Sequence, residues 1–202
     1  MYSLLLFVIL ADFLREVCAI SDVDIVPRDA WGARPPYMIE AMANPVPYVV
    51  IHHSYIPPAC NTTEDCMQAM RSMQDYHQLN HSWNDIGYSF AVGGDGRAYM
   101  GRGWDRVGAH APKFNDKSIG ICIIGDWSAD LPPERQLKVT QDLIEMGVRD
   151  GAIQKDYILL GHKQTKKKGA TECPGDRLFE EIQTWPNWQN EALPDGKKET
   201  FD

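Results

Sequence analysis

The chain has 202 residues, 44% hydrophobic and 24% charged, which is the composition of a folded soluble chain with enough length to bury one core. With 20 Lys and Arg against 28 Asp and Glu, the formal charge is −8. There is no basic excess with which to coat a phosphate backbone, and this argues against nucleic-acid binding. The cysteines number five, an odd count that leaves at least one outside any disulfide within the chain.

From the N-terminus, Leu4 to Leu10 (LLLFVIL) is an apolar run of the length found in the hydrophobic region of a secretory leader, and too short to span a bilayer. Val17 and Ala19 supply small residues at the −3 and −1 positions. The pattern predicts a leader over residues 1–19, cut after Ala19 with loss of Cys18, and a secreted mature chain. No basic segment precedes the run, and Asp12, Arg15 and Glu16 stand between it and the cut, so an intracellular start is the alternative.

Val46 to His52 (VPYVVIH) reads as a buried strand ending at a histidine pair. Cys60 and Cys66 flank Asn61 to Asp65, a short polar loop that a disulfide could close in an oxidising compartment. Asn61 and Asn80 each begin an N-glycosylation sequon. From Thr63 to Leu79 the residues Met67, Met70, Met73, Tyr76 and Leu79 recur at helical spacing, predicting an amphipathic helix capped by Thr62 or Thr63. Tyr88 to Val92 and Gly96 to Gly101 flank Gly93-Gly94-Asp95-Gly96, a hairpin signal. Ile119 to Gly125 reads as a central strand with Cys122 as a small core residue.

Further on, Pro132-Pro133-Glu134 opens a helix to about Gly151, with Leu137, Leu143, Ile144 and Val148 facing inward. Ile158 to His162 is a short strand again ending at a histidine, and Gly175 to about Thr184 is a last helix. Residues 189–202 form a polar tail without periodicity. Strands and helices mixed around one sheet predict an α/β or α+β single domain over residues 20–188, with no linker to divide it.

Two of the six histidines, His52 and His162, sit directly at or after apolar strands, where an imidazole is held rigidly at the domain surface. Downstream, Cys173 lies in the polar loop Thr171-Glu172-Cys173-Pro174-Gly175 just before a helix. A thiolate and two imidazoles make three donors of a tetrahedral zinc site with an open position, the arrangement of a catalytic site. A thiol nucleophile with an imidazole base uses the same residue types, and the pattern alone does not separate the two.

These residues resemble the peptidoglycan recognition proteins, which share a fold with bacteriophage T7-type zinc amidases. The resemblance runs from about Ile25 to Trp188 and rests on ordered blocks. They are Asp29-Ala30-Trp31-Gly32-Ala33, Val50-Ile51-His52-His53-Ser54, Asp85-Ile86-Gly87-Tyr88-Ser89-Phe90 and Gly93-Gly94-Asp95-Gly96, followed by Gly101-Arg102-Gly103-Trp104, Gly108-Ala109-His110, Ser118-Ile119-Gly120-Ile121, Gly161-His162 and Glu172-Cys173-Pro174-Gly175. It implies an α/β fold with a central mixed β-sheet flanked by helices. It also implies an N-acetylmuramoyl-L-alanine amidase similar to insect members that cleave diaminopimelate-type peptidoglycan and damp immune signalling.

Carried over by position, the resemblance implies one zinc ion held by His52, His162 and Cys173, with Tyr88 and Thr171 beside the attacking water. It places His53, His77, Ser82, Trp83, Arg102, His110 and Asn115 along the substrate groove. Arg102 is the position associated with the extra carboxylate of diaminopimelate, which suits a bidentate guanidinium. Ser82-Trp83 stands where diaminopimelate-preferring relatives carry Gly-Trp. The implied partners are bacterial peptidoglycan and muropeptides, bound by a monomer with no membrane span. Two other readings remain: a receptor that binds peptidoglycan without cleaving it, since receptor members replace the cysteine, and an interaction protein with no metal. The stretch between His162 and Cys173, with Lys166-Lys167-Lys168, is about three residues longer than in those relatives, an insertion that an exposed loop absorbs at small entropic cost.

Overall fold

Residues 23–191 are described in the computed structural model, so the leader, Cys18 and residues 192–202 lie outside the described residues. Within them, six strands form one sheet: β1 (Ile25–Val26), β2 (Val46–His53), β3 (Phe90–Val92), β4 (Ala98–Met100), β5 (Ser118–Ile123) and β6 (Ile153–Gly161). Their order across the sheet is β1-β4-β3-β5-β2-β6, with β3 and β4 antiparallel and the other neighbours parallel. The helices are α1 (Thr63–Asp75), α2 (Glu134–Arg149) and α3 (Asp176–Ile182). The result is an α/β domain with a central mixed sheet flanked by helices.

The sheet sorts its side chains by the two-residue period of a strand. On one face Val49 and Ile51 of β2 and Ile119, Ile121 and Ile123 of β5 pack with Leu143 and Ile144 of α2 and Leu178 and Ile182 of α3. On the other face Cys122 and Ala91 pack with Cys66, Met70 and Met73 of α1, together with Tyr99 and Trp31. Central strands covered on both faces read as continuous apolar runs, which is why β2 and β5 stand out in the sequence. From Tyr48 onward, residues of even number in β2 and β5, including His52, Ser118 and Gly120, therefore share the face opposite α2.

Helix α1 begins where expected, with the Thr62 hydroxyl accepting the Asp65 N–H at 3.2 Å. Its inner face differs from the expected stripe. Met70 and Met73 are buried, but Tyr76 and Leu79 are each 56% exposed. A strict three-residue spacing drifts backward around a 3.6-residue turn, and after Asp75 the chain passes into a π-helical turn over Tyr76–Asn80 that buries His77 and Gln78 instead. The disulfide joins Cys60 to Cys66, tying the preceding loop to the first turns of α1. Strand β6 starts at Ile153, five residues before the expected Ile158, and ends at Gly161. At the other end of the domain, Gln189 and Asn190 are exposed but tied to the domain by hydrogen bonds. The Gln189 N–H donates to Leu159 at 3.3 Å, and the Gln164 amide donates to the carbonyls of Gln189 and Asn190, both at 2.8 Å.

Candidate metal centre

Register brings the two strand-borne histidines together. β2 and β6 are parallel with Ile51 opposite Gly161, so the residues after each, His52 and His162, emerge at the same level. Their ring centroids are 4.4 Å apart. The loop before α3 carries Cys173 to them, with its sulfur 3.7 Å from His52 Nδ1. One ligating atom from each of His52, His162 and Cys173 lies within 4.8 Å of the others. The backbone N–H of His53 donates to the same sulfur at 3.4 Å.

The site is built to stay uncharged by protons. Burial, then the neighbouring His162, His110 and His53, holds His52 well below the usual imidazole range. His162 is pushed down to about 4, mainly by burial and then by Lys166. Burial pushes the Cys173 thiol up to about 12. Both ring nitrogens of His162 are buried and have no hydrogen-bond partner, an arrangement that costs desolvation energy unless something binds there. Two neutral imidazoles and a thiol, with orphaned nitrogens turned inward, fit a borderline-soft divalent cation such as zinc.

Around these donors the other expected residues take distinct places. The Tyr88 ring lies 5.2 Å from His52, and burial raises its hydroxyl well above the ordinary range. Thr171 Oγ1 accepts the Cys173 N–H at 3.2 Å, leaving its own proton free to donate. His53 Nδ1 lies 3.7 Å from Asp126 and accepts the Trp127 N–H at 3.4 Å. The Asp126 contact has no counterpart in any sequence motif read above.

His77, Ser82 and Trp83 gather on one side. His77 Nδ1 accepts the Gly87 N–H at 3.1 Å, and its ring is 5.7 Å from Tyr88. Trp83 stacks with both His77 and His81. Arg102 donates to the carbonyls of Ile86 at 2.7 Å, Val107 at 2.6 Å and Asp85 at 3.5 Å. It thus clamps the segment leading to Tyr88 and keeps one uncommitted N–H on each terminal nitrogen.

His110 and Asn115 are linked to His52 and to each other by hydrogen bonds. His110 is 6% exposed, with Nδ1 3.0 Å from His52 Nε2, and so packs directly behind that ring. Asn115 Oδ1 accepts the N–H groups of His110 and Ala111, both at 2.8 Å, and shapes the loop that carries His110. Ser118, which the sequence reading leaves without a role, lies against His110.

Comparison with known proteins adds four findings. Residues 42–176 match the family described as N-acetylmuramoyl-L-alanine amidase. Peptidoglycan-recognition protein LB of Drosophila melanogaster is 55% identical over 164 residues, covering 81% of this chain and 69% of that one. The N-acetylmuramoyl-L-alanine amidase of Homo sapiens is 43% identical over 176 residues, covering 84% of this chain but only 30% of the human protein. Among solved structures, peptidoglycan recognition protein-LE in complex with tracheal cytotoxin, a monomeric diaminopimelic acid-type peptidoglycan, superposes with a TM-score of 0.79 at 42% identity, over 82% of this chain and 96% of that one.

Proposed function

Because this chain belongs to the peptidoglycan-recognition protein family and carries its N-acetylmuramoyl-L-alanine amidase domain, we propose that it binds peptidoglycan and hydrolyses the amide between the lactyl group of N-acetylmuramic acid and L-alanine, using one zinc ion held by His52, His162 and Cys173. The observation that carries the reading is the cluster of three donors within 4.8 Å, with both His162 nitrogens buried and unpaired. Zinc, when bound there, supplies Lewis acidity that polarises the scissile carbonyl and lowers the pKa of water to about 7.

The protein's own groups do the rest. Tyr88 keeps its proton at every pH of interest, because burial raises its pKa, and so offers a neutral O–H to the oxyanion that forms at the carbonyl. Thr171, anchored through the Cys173 N–H, directs its hydroxyl proton toward the attacking water or the departing amine. The His53 N–H stabilises negative charge on the Cys173 sulfur. Arg102 presents its two spare N–H groups to the second carboxylate of diaminopimelate, and the ledge of His77, Ser82 and Trp83 borders the peptide side of the substrate.

The domain runs over residues 20–188 after cleavage of a leader at Ala19, and the protein acts outside the cell, where the Cys60–Cys66 disulfide is stable. No helix among the described residues is long and apolar enough to cross a membrane. Hydrolysis of the muropeptides it binds damps immune signalling.

Metal analysis and amidase assay of the wild type and Cys173→Ala test the assignment. The expected result is about one zinc per wild-type chain, with turnover lost in the variant. Stoichiometric zinc without wild-type turnover would leave a receptor, and absence of zinc would overturn the catalytic reading.

A further inference from the structure

His110 is 6% exposed, and its position is closely built. The Cβ that an alanine would place at Gly108 or Gly120 would stand 2.5 Å from its ring, so two glycines from separate segments form the slot that admits the imidazole. The Asn115 side chain fixes the backbone on either side of that slot through the His110 and Ala111 N–H groups.

A chain of hydrogen bonds runs through the ring. His52 Nε2 lies 3.0 Å from His110 Nδ1, His110 Nε2 lies 3.4 Å from Ser118 Oγ, and Ser118 Oγ lies 2.6 Å from the Phe114 carbonyl. The carbonyl can only accept, so it takes the single hydroxyl proton of Ser118. The serine oxygen then accepts, and His110 carries its proton on Nε2. That leaves His110 Nδ1 as an acceptor and requires the proton of His52 to sit on Nε2. The lone pair of His52 is thereby on Nδ1, the nitrogen that faces Cys173.

We propose that His110 and Ser118 are positioning residues that fix the tautomer of His52, so that Nδ1 is its metal-ligating atom before any ion arrives. The inference rests on the metal centre assigned above. Imidazole ligands commonly donate their second N–H to a carboxylate or carbonyl, and removing such a partner lowers metal affinity roughly 10–100-fold. Here the partner is a neutral imidazole in a fixed tautomer, which sets direction without adding charge.

Long-range ¹H–¹⁵N spectra of the metal-free protein read the His52 tautomer directly, and zinc titration reads affinity. In the wild type His52 is expected with its proton on Nε2. His110→Phe fills the slot but offers no acceptor, and is expected to shift His52 toward the Nδ1-protonated form and weaken zinc binding by 10-fold or more. His110→Asn retains an acceptor oxygen near the Nδ1 position and is expected to recover most of both. If the phenylalanine variant does not fold, Ser118→Ala, which removes the hydroxyl acceptor, is expected to give a smaller shift in the same direction. A wild-type His52 protonated on Nδ1, or a tautomer unchanged in both variants, would overturn the proposal. A wild type that binds no zinc yet shows the Nε2 tautomer would overturn the metal assignment and leave the relay standing.

Discussion

His77 and Trp83 are stacked face to face, with ring centroids 4.7 Å apart and planes inclined by 16°. The stack forms because the chain between them turns back through His81 and Ser82, the latter at φ 57°. It fixes His77 against Gly87, one residue before Tyr88, so the ledge and Tyr88 are a connected unit.

His77 makes that unit sensitive to acid. Burial, then His81 and Arg102, holds its pKa at about 4, against about 6.5 for an imidazole in the unfolded chain. Between pH 6.5 and 4 the unfolded chain binds a proton that the folded chain refuses. Stability contributed by neutral His77 is therefore complete above pH 6.5, falls as the pH falls, and is gone below about 4. The variant His77→Asn can still accept from Gly87 but does not titrate, and its urea midpoint should change less between pH 7 and 4 than that of the wild type. An identical slope would assign the acid sensitivity to other groups.

Ser82 occupies a left-handed backbone conformation that favours glycine. Ser82→Gly should relieve that strain and raise stability by up to about 1 kcal/mol, read from urea unfolding. A lower midpoint in the glycine variant would show that the serine side chain contributes more than its backbone costs.

Tyr88→Phe removes the hydroxyl donor and keeps the ring against His52 and His77. Its kcat should fall by about 10²–10³-fold, the usual cost of one oxyanion donor, with zinc content unchanged. Loss of zinc in this variant would place the tyrosine among the residues that hold the metal.

Arg102→Ala should lower kcat/KM on diaminopimelate-type peptidoglycan more than on lysine-type polymer. The guanidinium also ties the carbonyls of Ile86 and Val107, so a general loss is expected on both. The ratio between the two polymers carries the test, and equal losses would restrict Arg102 to its structural ties.

Much of the metal centre is legible in the sequence because strand-ending histidines announce themselves: each of His52 and His162 closes an apolar run that a parallel sheet demands. The two-residue strand β1 shows no periodicity, being too short to have one. The first half of β6 is hidden because Gln154, Lys155 and Asp156 break the apolar run, as an edge strand allows. Tyr76 and Leu79 mislead because a three-residue recurrence looks amphipathic in letters while it rotates off the buried face in space. The contact of His110 with His52 is invisible in one dimension, since its slot is made by Gly108 and Gly120 from different segments.

Two of the three donors are fixed by the sheet at β2 and β6, and the third comes from a loop. Exchanging Cys173 for a residue that cannot ligate therefore leaves the ladder, both cores and the Trp83 ledge untouched. In a fold so divided, hydrolysis is detachable from recognition, and one codon separates an enzyme that destroys its ligand from a protein that holds it.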